Sequence, residues 1–212
     1  MNASPPFFPS FEAAKSAYRQ AFANPAYTRF ELPPVNVNKV LRDRYRMEPQ
    51  RLVTRTEIWD MEARKAWDPR TFIPYVVSEA RSYGRETLAD GYRFCRSSMQ
   101  KGWIADGYGR VLEDTYISDT EQAVFFMGRA TMPGENGEEL QTGALQPVFH
   151  VEHAAGGSED EPLNIWSIVL LTQNNDPRYE EPFKAMVRAG LLPGFIEIYI
   201  AQNLGVKLER AA

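Results

Sequence analysis

Cysteine is nearly absent from this chain of 212 residues: only Cys95 occurs. One cysteine excludes an intrachain disulfide framework and makes a thiolate metal site implausible. Cys95 sits in the strand-like stretch "YRFCRSSMQ", where a thiol without activating neighbours behaves as a small buried hydrophobe. Blocks of basic residues are also missing, and the net charge is −4. A nucleic-acid partner therefore has no electrostatic support. No window approaches the ~18 uninterrupted apolar residues of a membrane span. The stretch "MNASPPFFPSFE" has neither a basic start nor a long apolar core, so it does not read as a signal peptide, and a cytoplasmic location is expected. Phosphate loops are absent as well. "DGYGR" lacks the lysine and the following helix that such a loop needs, and reads as a hairpin turn.

Hydrophobic residues make up 43% and charged residues 25%, an ordinary globular composition. In the first fifty residues Ser10 can cap a helix over Phe11 to Ala23, with Phe11, Ala14, Tyr18 and Phe22 at helical spacing. "NPAYTRFELPPVNVN" then reads as an extended connector, and "KVLRDRYRMEPQ" as one or two helical turns. From Arg51 the pattern becomes strand-like. "RLVTRTEIWDMEA" is rich in β-branched and aromatic residues and predicts a first strand. In "WDPRTFIPYVV", Asp68 and Pro69 fit a helix start that Pro74 must end quickly. "YVVSEARSYGRE" predicts a second strand. Five more follow: "GYRFCRSSMQKGWI", "GRVLEDTYIS", "EQAVFFMGRATM", "LQPVFHVEHAA" and "LNIWSIVLLTQ". The breaks "ADGYG", "SDT", "PGENGEE" and "GGSEDEP" carry turn residues, so these strands form an antiparallel meander. The last segment is helical. Phe183, Met186 and Val187, then Phe195, Ile196, Tyr199 and Ile200, fall at helical spacing on either side of a division at Gly190 and Pro193-Gly194.

This order of elements resembles the START/Bet v 1-like superfamily, the helix-grip group that includes polyketide cyclases and lipid- or hormone-binding proteins. The matching stretches are "TRTEIWDMEA" as first strand, "WDPRTFIPYVV" as the short helical segment and "FKAMVRAGLLPGFIEIYIAQNL" as the gripping helix. The resemblance implies an α+β fold, with a curved seven-stranded antiparallel sheet around a long C-terminal helix. It covers residues 51–212 as a domain and leaves residues 1–50 as an N-terminal extension of helix plus connector. A second resemblance, to the cone-shaped proteins like nuclear transport factor 2 and ketosteroid isomerase, fits the helical start but not the helical end. The helix-grip resemblance also implies an internal cavity for an apolar ligand.

Both histidines lie in "TGALQPVFHVEHAAGG". On a regular strand Phe149, Val151 and His153 share one face, and Val148, His150 and Glu152 share the other. The first face is more apolar, so His153 is expected to point inward and His150 outward to the surface. An alternation of this kind splits the His150/Glu152/His153 cluster, so no metal site is expected; a metal-dependent hydrolase would require a bulge here. His153 is either a satisfied structural histidine or an acid–base group, since imidazole titrates near ~6.5. Glu113 shares a face with Val111, Thr115 and Ile117, and Arg96 on the preceding strand can pair with it. The plainest account of Arg96 and Glu113 is a cross-strand ion pair on the solvent side, worth ~0.2–1 kcal/mol. The aromatic candidates for lining a cavity are Trp59, Tyr92, Trp103, Tyr116, Phe126, Phe149, Trp166, Phe195 and Tyr199.

The resulting expectation is a small-molecule enzyme of polyketide cyclase-like type. It would do acid–base chemistry without a cofactor on an apolar oxygenated or aromatic substrate, with His153, Glu113 and Arg96 as the reacting groups. A non-catalytic carrier or sensor of a hydrophobic ligand needs the same cavity and no titrating group. The N-terminal arm reads as a lid over the pocket, a homodimer contact or a docking arm for another partner.

Overall fold

In the computed structural model, which describes residues 6–211, the chain folds into a large antiparallel sheet with helices on both faces. The first five residues of "MNASPPFFPSFE" lie outside the described residues. In chain order the elements begin with α1 (Phe11–Ala23), β1 (Thr28–Glu31), β2 (Val35–Asn36), α2 (Val37–Arg44) and β3 (Tyr45–Glu48). Next come α3 (Arg55–Trp67), α4 (Pro69–Phe72), β4 (Val77–Leu88), β5 (Gly91–Lys101), β6 (Tyr108–Ser118) and β7 (Ala123–Arg129). After β8 (Thr131–Pro133), β9 (Glu139–Gln141), β10 (Phe149–Gly157) and β11 (Pro162–Leu170), the chain closes with α5 (Glu181–Ala189), α6 (Gly194–Gln202) and β12 (Lys207–Arg210).

Seven strands run in the order β1-β11-β10-β7-β6-β5-β4, with β2 also paired to β11. The meander from β4 to β11 follows the expected strands and turns, with β8 and β9 splitting off as a small separate hairpin. The α+β helix-grip architecture is thus present: one antiparallel sheet holds α3 and the C-terminal helix against its inner face. That helix is divided where its residues demand. Gly190 ends α5 in a left-handed conformation (φ +62°), which a side chain would resist, and Pro193 precedes α6.

The first strand is not where the sequence predicts it. "RTEIWDMEARKAW" is helix α3. Thr54 and Glu57 close a capping box, with Thr54 Oγ1 accepting from the Glu57 N–H at 3.1 Å and Glu57 accepting from the Thr54 N–H at 2.9 Å. Ile58, Met61, Glu62, Lys65 and Ala66 then form one buried stripe at helical spacing, which packing rewards over the β-propensity of Ile58 and Trp59. The first strand is instead Thr28–Glu31, inside the expected connector. It pairs with β11 through Thr28↔Leu170 and Phe30↔Ile168, and Pro25, Pro33 and Pro34 keep it short. The N-terminal fifty residues therefore enter the sheet, and Val37, Leu41 and Tyr45 join the main core.

α1 lies on the outer face of the sheet. Phe11, Ala14 and Tyr18 pack there with Tyr116, Phe125, Met127 and Val169 in a second core. Its start is held twice, by Ser10 accepting from the Ala13 N–H at 3.0 Å and by Asp90 accepting from the Phe11 and Glu12 N–H groups at 2.9 and 3.0 Å. α1 thus covers the face opposite the inner helices. Cys95 is buried on this outer side, in a small cluster with Tyr83, Leu112 and Met132.

Candidate functional site

Strand alternation decides which side chains reach the inner face. From β5 these are Phe94, Arg96, Ser98 and Gln100; from β6, Val111, Glu113 and Thr115; from β10, Phe149, Val151 and His153; from β11, Asn164, Trp166 and Ile168. The inner face carries a polar stripe, interrupted by Phe126 on β7, that runs from Arg96, Ser98, Gln100, Glu113 and Thr115 on β5 and β6 to His153 and Asn164 on β10 and β11. Between this face and α3, α5 and α6 lies a cavity of about 410 Å³, within the range of small-molecule sites.

The expected reacting residues meet here. His153, Glu113 and Arg96 all line the cavity, with Trp103, Phe126, Phe149, Trp166 and Phe195. Four of the aromatic candidates lie elsewhere. Tyr116 has the opposite parity from Glu113 on the same strand, so it faces outward, where its hydroxyl bonds Asp114 and accepts from the Phe8 N–H at 2.7 Å. Trp59 donates to Asp119 Oδ1 at 3.0 Å beside the β6–β7 turn, and Tyr199 donates to Asp60 Oδ2 at 2.8 Å across the α3–α6 contact. Tyr92 sits in a surface groove below Arg85, whose guanidinium lies 4.0 Å from its ring centroid.

Arg96 and Glu113 are cross-strand partners, but the pair is buried rather than on the solvent side. Arg96 Nε and Nη2 donate to Glu113 Oε2 at 2.8 and 2.7 Å, and Nη1 donates to the Ala66 carbonyl at 3.0 Å. The guanidinium also lies 4.3 Å from the Phe126 ring centroid. Residues 5% and 2% exposed cannot be screened as a surface pair is.

The other half of the stripe escaped the sequence reading. Glu62 and Lys65, on the buried stripe of α3, meet His153 and Asn164. Lys65 Nζ lies 2.5 Å from Glu62 Oε2 and donates to His153 Nδ1 at 2.8 Å. Asn164 Nδ2 donates to Glu62 Oε1 at 2.7 Å. The ammonium also sits 3.8 Å from the centroid of the Phe195 ring. Burial alone would raise the Glu62 carboxyl, but the Lys65 charge and then His153 override it and hold it below the usual carboxylate range. Burial lowers Lys65, with Glu62 only partly restoring it. His153 is lowered to about 4, by burial first and then by the Lys65 charge. His153 Nδ1 also lies 3.1 Å from Glu62 Oε2; where it accepts from Lys65, the neutral ring carries its proton on Nε2, which makes no hydrogen bond among the described residues. The signal for Glu62 and Lys65 was available in the T-R-T-E capping box, which starts a helix and puts both charges on its apolar face.

The H-V-E-H strand is regular. His153 faces the cavity, whereas Glu152 faces α1, accepting from Arg19 Nη2 at 2.7 Å and from Ser167 Oγ at 3.2 Å. His150 is not a surface residue: it is partly covered on the outer side, accepts from the Gly128 N–H at 3.0 Å, and is lowered by burial to about 4. The sheet separates the two rings, so they cannot share one metal ion. Among the described residues no group of three His, Cys, Asp or Glu side chains is placed to hold a metal, and no helix is long and apolar enough to cross a membrane.

No protein-family model matches the chain, and no curated protein matches it. Among solved structures it is similar to the Zhui aromatase/cyclase from Streptomyces sp. R1128, at 10% identity and a TM-score of 0.49 over 82% of this chain and 95% of that one. It is also similar to a protein of Thermus thermophilus, at 12% identity and a TM-score of 0.44 over 82% of this chain and 97% of the other. The ginseng major latex-like protein 151 from Panax ginseng matches at 11% identity and a TM-score of 0.44, over 79% and 99%.

Proposed function

We propose that the chain is a small-molecule enzyme that performs acid–base chemistry on an apolar, oxygenated substrate held in the inner cavity. One observation carries the reading: an imidazole with an unengaged Nε2 and the Arg96 guanidinium both line a cavity whose other walls are mostly apolar, aromatic rings among them. Such walls bind a flat apolar ligand and exclude water, which strengthens each polar contact inside. Arg96 holds a carbonyl or phenolic oxygen, its charge kept in place by Glu113 and the Ala66 carbonyl. With Lys65 donating at Nδ1, His153 presents its Nε2–H as the proton donor to the substrate oxygen. Binding is measured by quenching of tryptophan fluorescence with aromatic ketones and phenols, because Trp103 and Trp166 line the cavity. Each compound that binds is then followed by mass spectrometry for conversion. The reading expects conversion that His153→Gln removes while binding persists. If nothing binds, the proposal fails.

A second reading, a carrier of a hydrophobic ligand, is favoured by the internal pairing of the charges: Arg96 with Glu113, and Lys65 with Glu62. Charges already satisfied by each other can shape a pocket without reacting. A carrier binds in the same assay, and the bound compound is recovered unchanged.

A further inference from the structure

Lys65 does more in this site than a structural ion pair requires. It is 3% exposed, projects from α3 and lines the cavity wall. Burying a lysine and a glutamate together is costly, and an apolar pair of similar volume is often as stable. The geometry around Nζ is also specific. Glu62 Oε2 is 2.5 Å away, His153 Nδ1 is 2.8 Å away, and the Phe195 ring, its centroid 3.8 Å from Nζ, lines the cavity together with Lys65. An amine with two proton acceptors beside it and an apolar chamber in front has the parts of a covalent nucleophile.

We propose that Lys65 is an amine nucleophile that condenses with the carbonyl carbon of a flat aldehyde or ketone in the cavity to form an iminium. The inference rests on the small-molecule reading above and adds a covalent step to it. The ammonium gives one proton to Glu62, and the freed lone pair forms the C–N bond as the carbonyl π electrons move to oxygen. Glu62 returns that proton to the oxygen, giving a neutral alcohol. A second proton from nitrogen reaches the same oxygen by the same route. The C–O bond then breaks with loss of water, while the nitrogen lone pair closes the C=N bond. One ammonium and one carbonyl become one iminium and one water, so charge and protons balance without any co-reactant.

The electrostatics favour this change. The nitrogen carries a positive charge before and after, and Glu62 remains its counter-ion, so no new charge is buried. Burial also loosens the Lys65 proton relative to an exposed lysine, which raises the fraction of free amine. Once formed, the iminium withdraws electrons from the neighbouring carbon.

The test uses naphthaldehyde with sodium cyanoborohydride near neutral pH, which reduces an iminium to a stable secondary amine. Binding is read separately by tryptophan fluorescence, and the modified lysine by peptide mass mapping. The expected result is one naphthylmethyl group on Lys65, formed about tenfold faster than on exposed Lys39 or Lys207. Lys65→Arg keeps a cation opposite Glu62 and is expected to bind the aldehyde without becoming labelled there. Should that variant fold poorly, Glu62→Gln combined with Lys65→Met removes both charges and serves the same comparison. Binding with label only on surface lysines overturns the covalent step and leaves the cavity reading standing. Absence of any fluorescence change overturns both.

Discussion

Replacing Glu113 by glutamine tests how deeply the Arg96–Glu113 pair is buried. The substitution keeps the volume but leaves the Arg96 guanidinium, 5% exposed, without its counter-charge. Two of its contacts, at 2.8 and 2.7 Å, change from ion-pair hydrogen bonds to bonds from the guanidinium to an uncharged amide, while the bond to the Ala66 carbonyl at 3.0 Å remains. Removing one member of a buried pair costs about 3–5 kcal/mol. With a urea m-value near ~3 kcal/mol/M, the unfolding midpoint falls by roughly 1–1.7 M. A solvent-side pair, worth ~0.2–1 kcal/mol, moves it by less than about 0.3 M. Urea melts followed by tryptophan fluorescence separate the two cases. The control is Arg96→Met with Glu113→Leu, which removes both charges and is expected to recover most of the loss. A midpoint shift below about 0.3 M for the single variant, or a double variant no more stable than the single one, refutes the burial argument.

Other expectations follow from the same geometry. Both histidines are lowered to about 4, so ring NMR spectra between about pH 5 and pH 8 should show neither one titrating, and a midpoint near ~6.5 for either refutes its burial. Because their folded-state values lie below the unfolded ~6.5, the unfolded chain binds these protons more readily; stability is full above that pH and declines as pH falls toward about 4, by up to about 3 kcal/mol for His153, measured by urea melts at stepped pH. Thr54→Ala removes the side-chain half of the α3 capping box and should cost about 1 kcal/mol, read from the urea midpoint, while an unchanged midpoint would count against the cap. Asp90→Ala frees the Phe11 and Glu12 N–H groups at the start of α1, with an expected loss of about 1 kcal/mol and faster hydrogen exchange confined to that helix.

The sequence by itself determined what depends on neighbours along the chain. Alternation on β10 placed His153 inward and split it from His150 and Glu152, because a strand's side chains alternate whatever it packs against. The same parity placed Arg96 and Glu113 on one face, and turn residues fixed where the meander reverses. Tyr116, named from sequence as a cavity candidate, sits three positions from Glu113 on one strand, and the same parity puts it on the opposite face. Gly190 and Pro193 marked the division of the terminal helix through backbone constraints alone. Tertiary structure decided the rest. Residues 55–67 combine strand-favouring side chains with a helical cap; docking across the sheet tipped that balance to helix and brought Glu62 and Lys65 to His153. The short strand Thr28–Glu31 has too few residues for a local pattern and exists because β11 offers an open edge. Whether Arg96 and Glu113 face water or a cavity was likewise beyond local pattern, since alternation separates two faces without saying which one the helices cover.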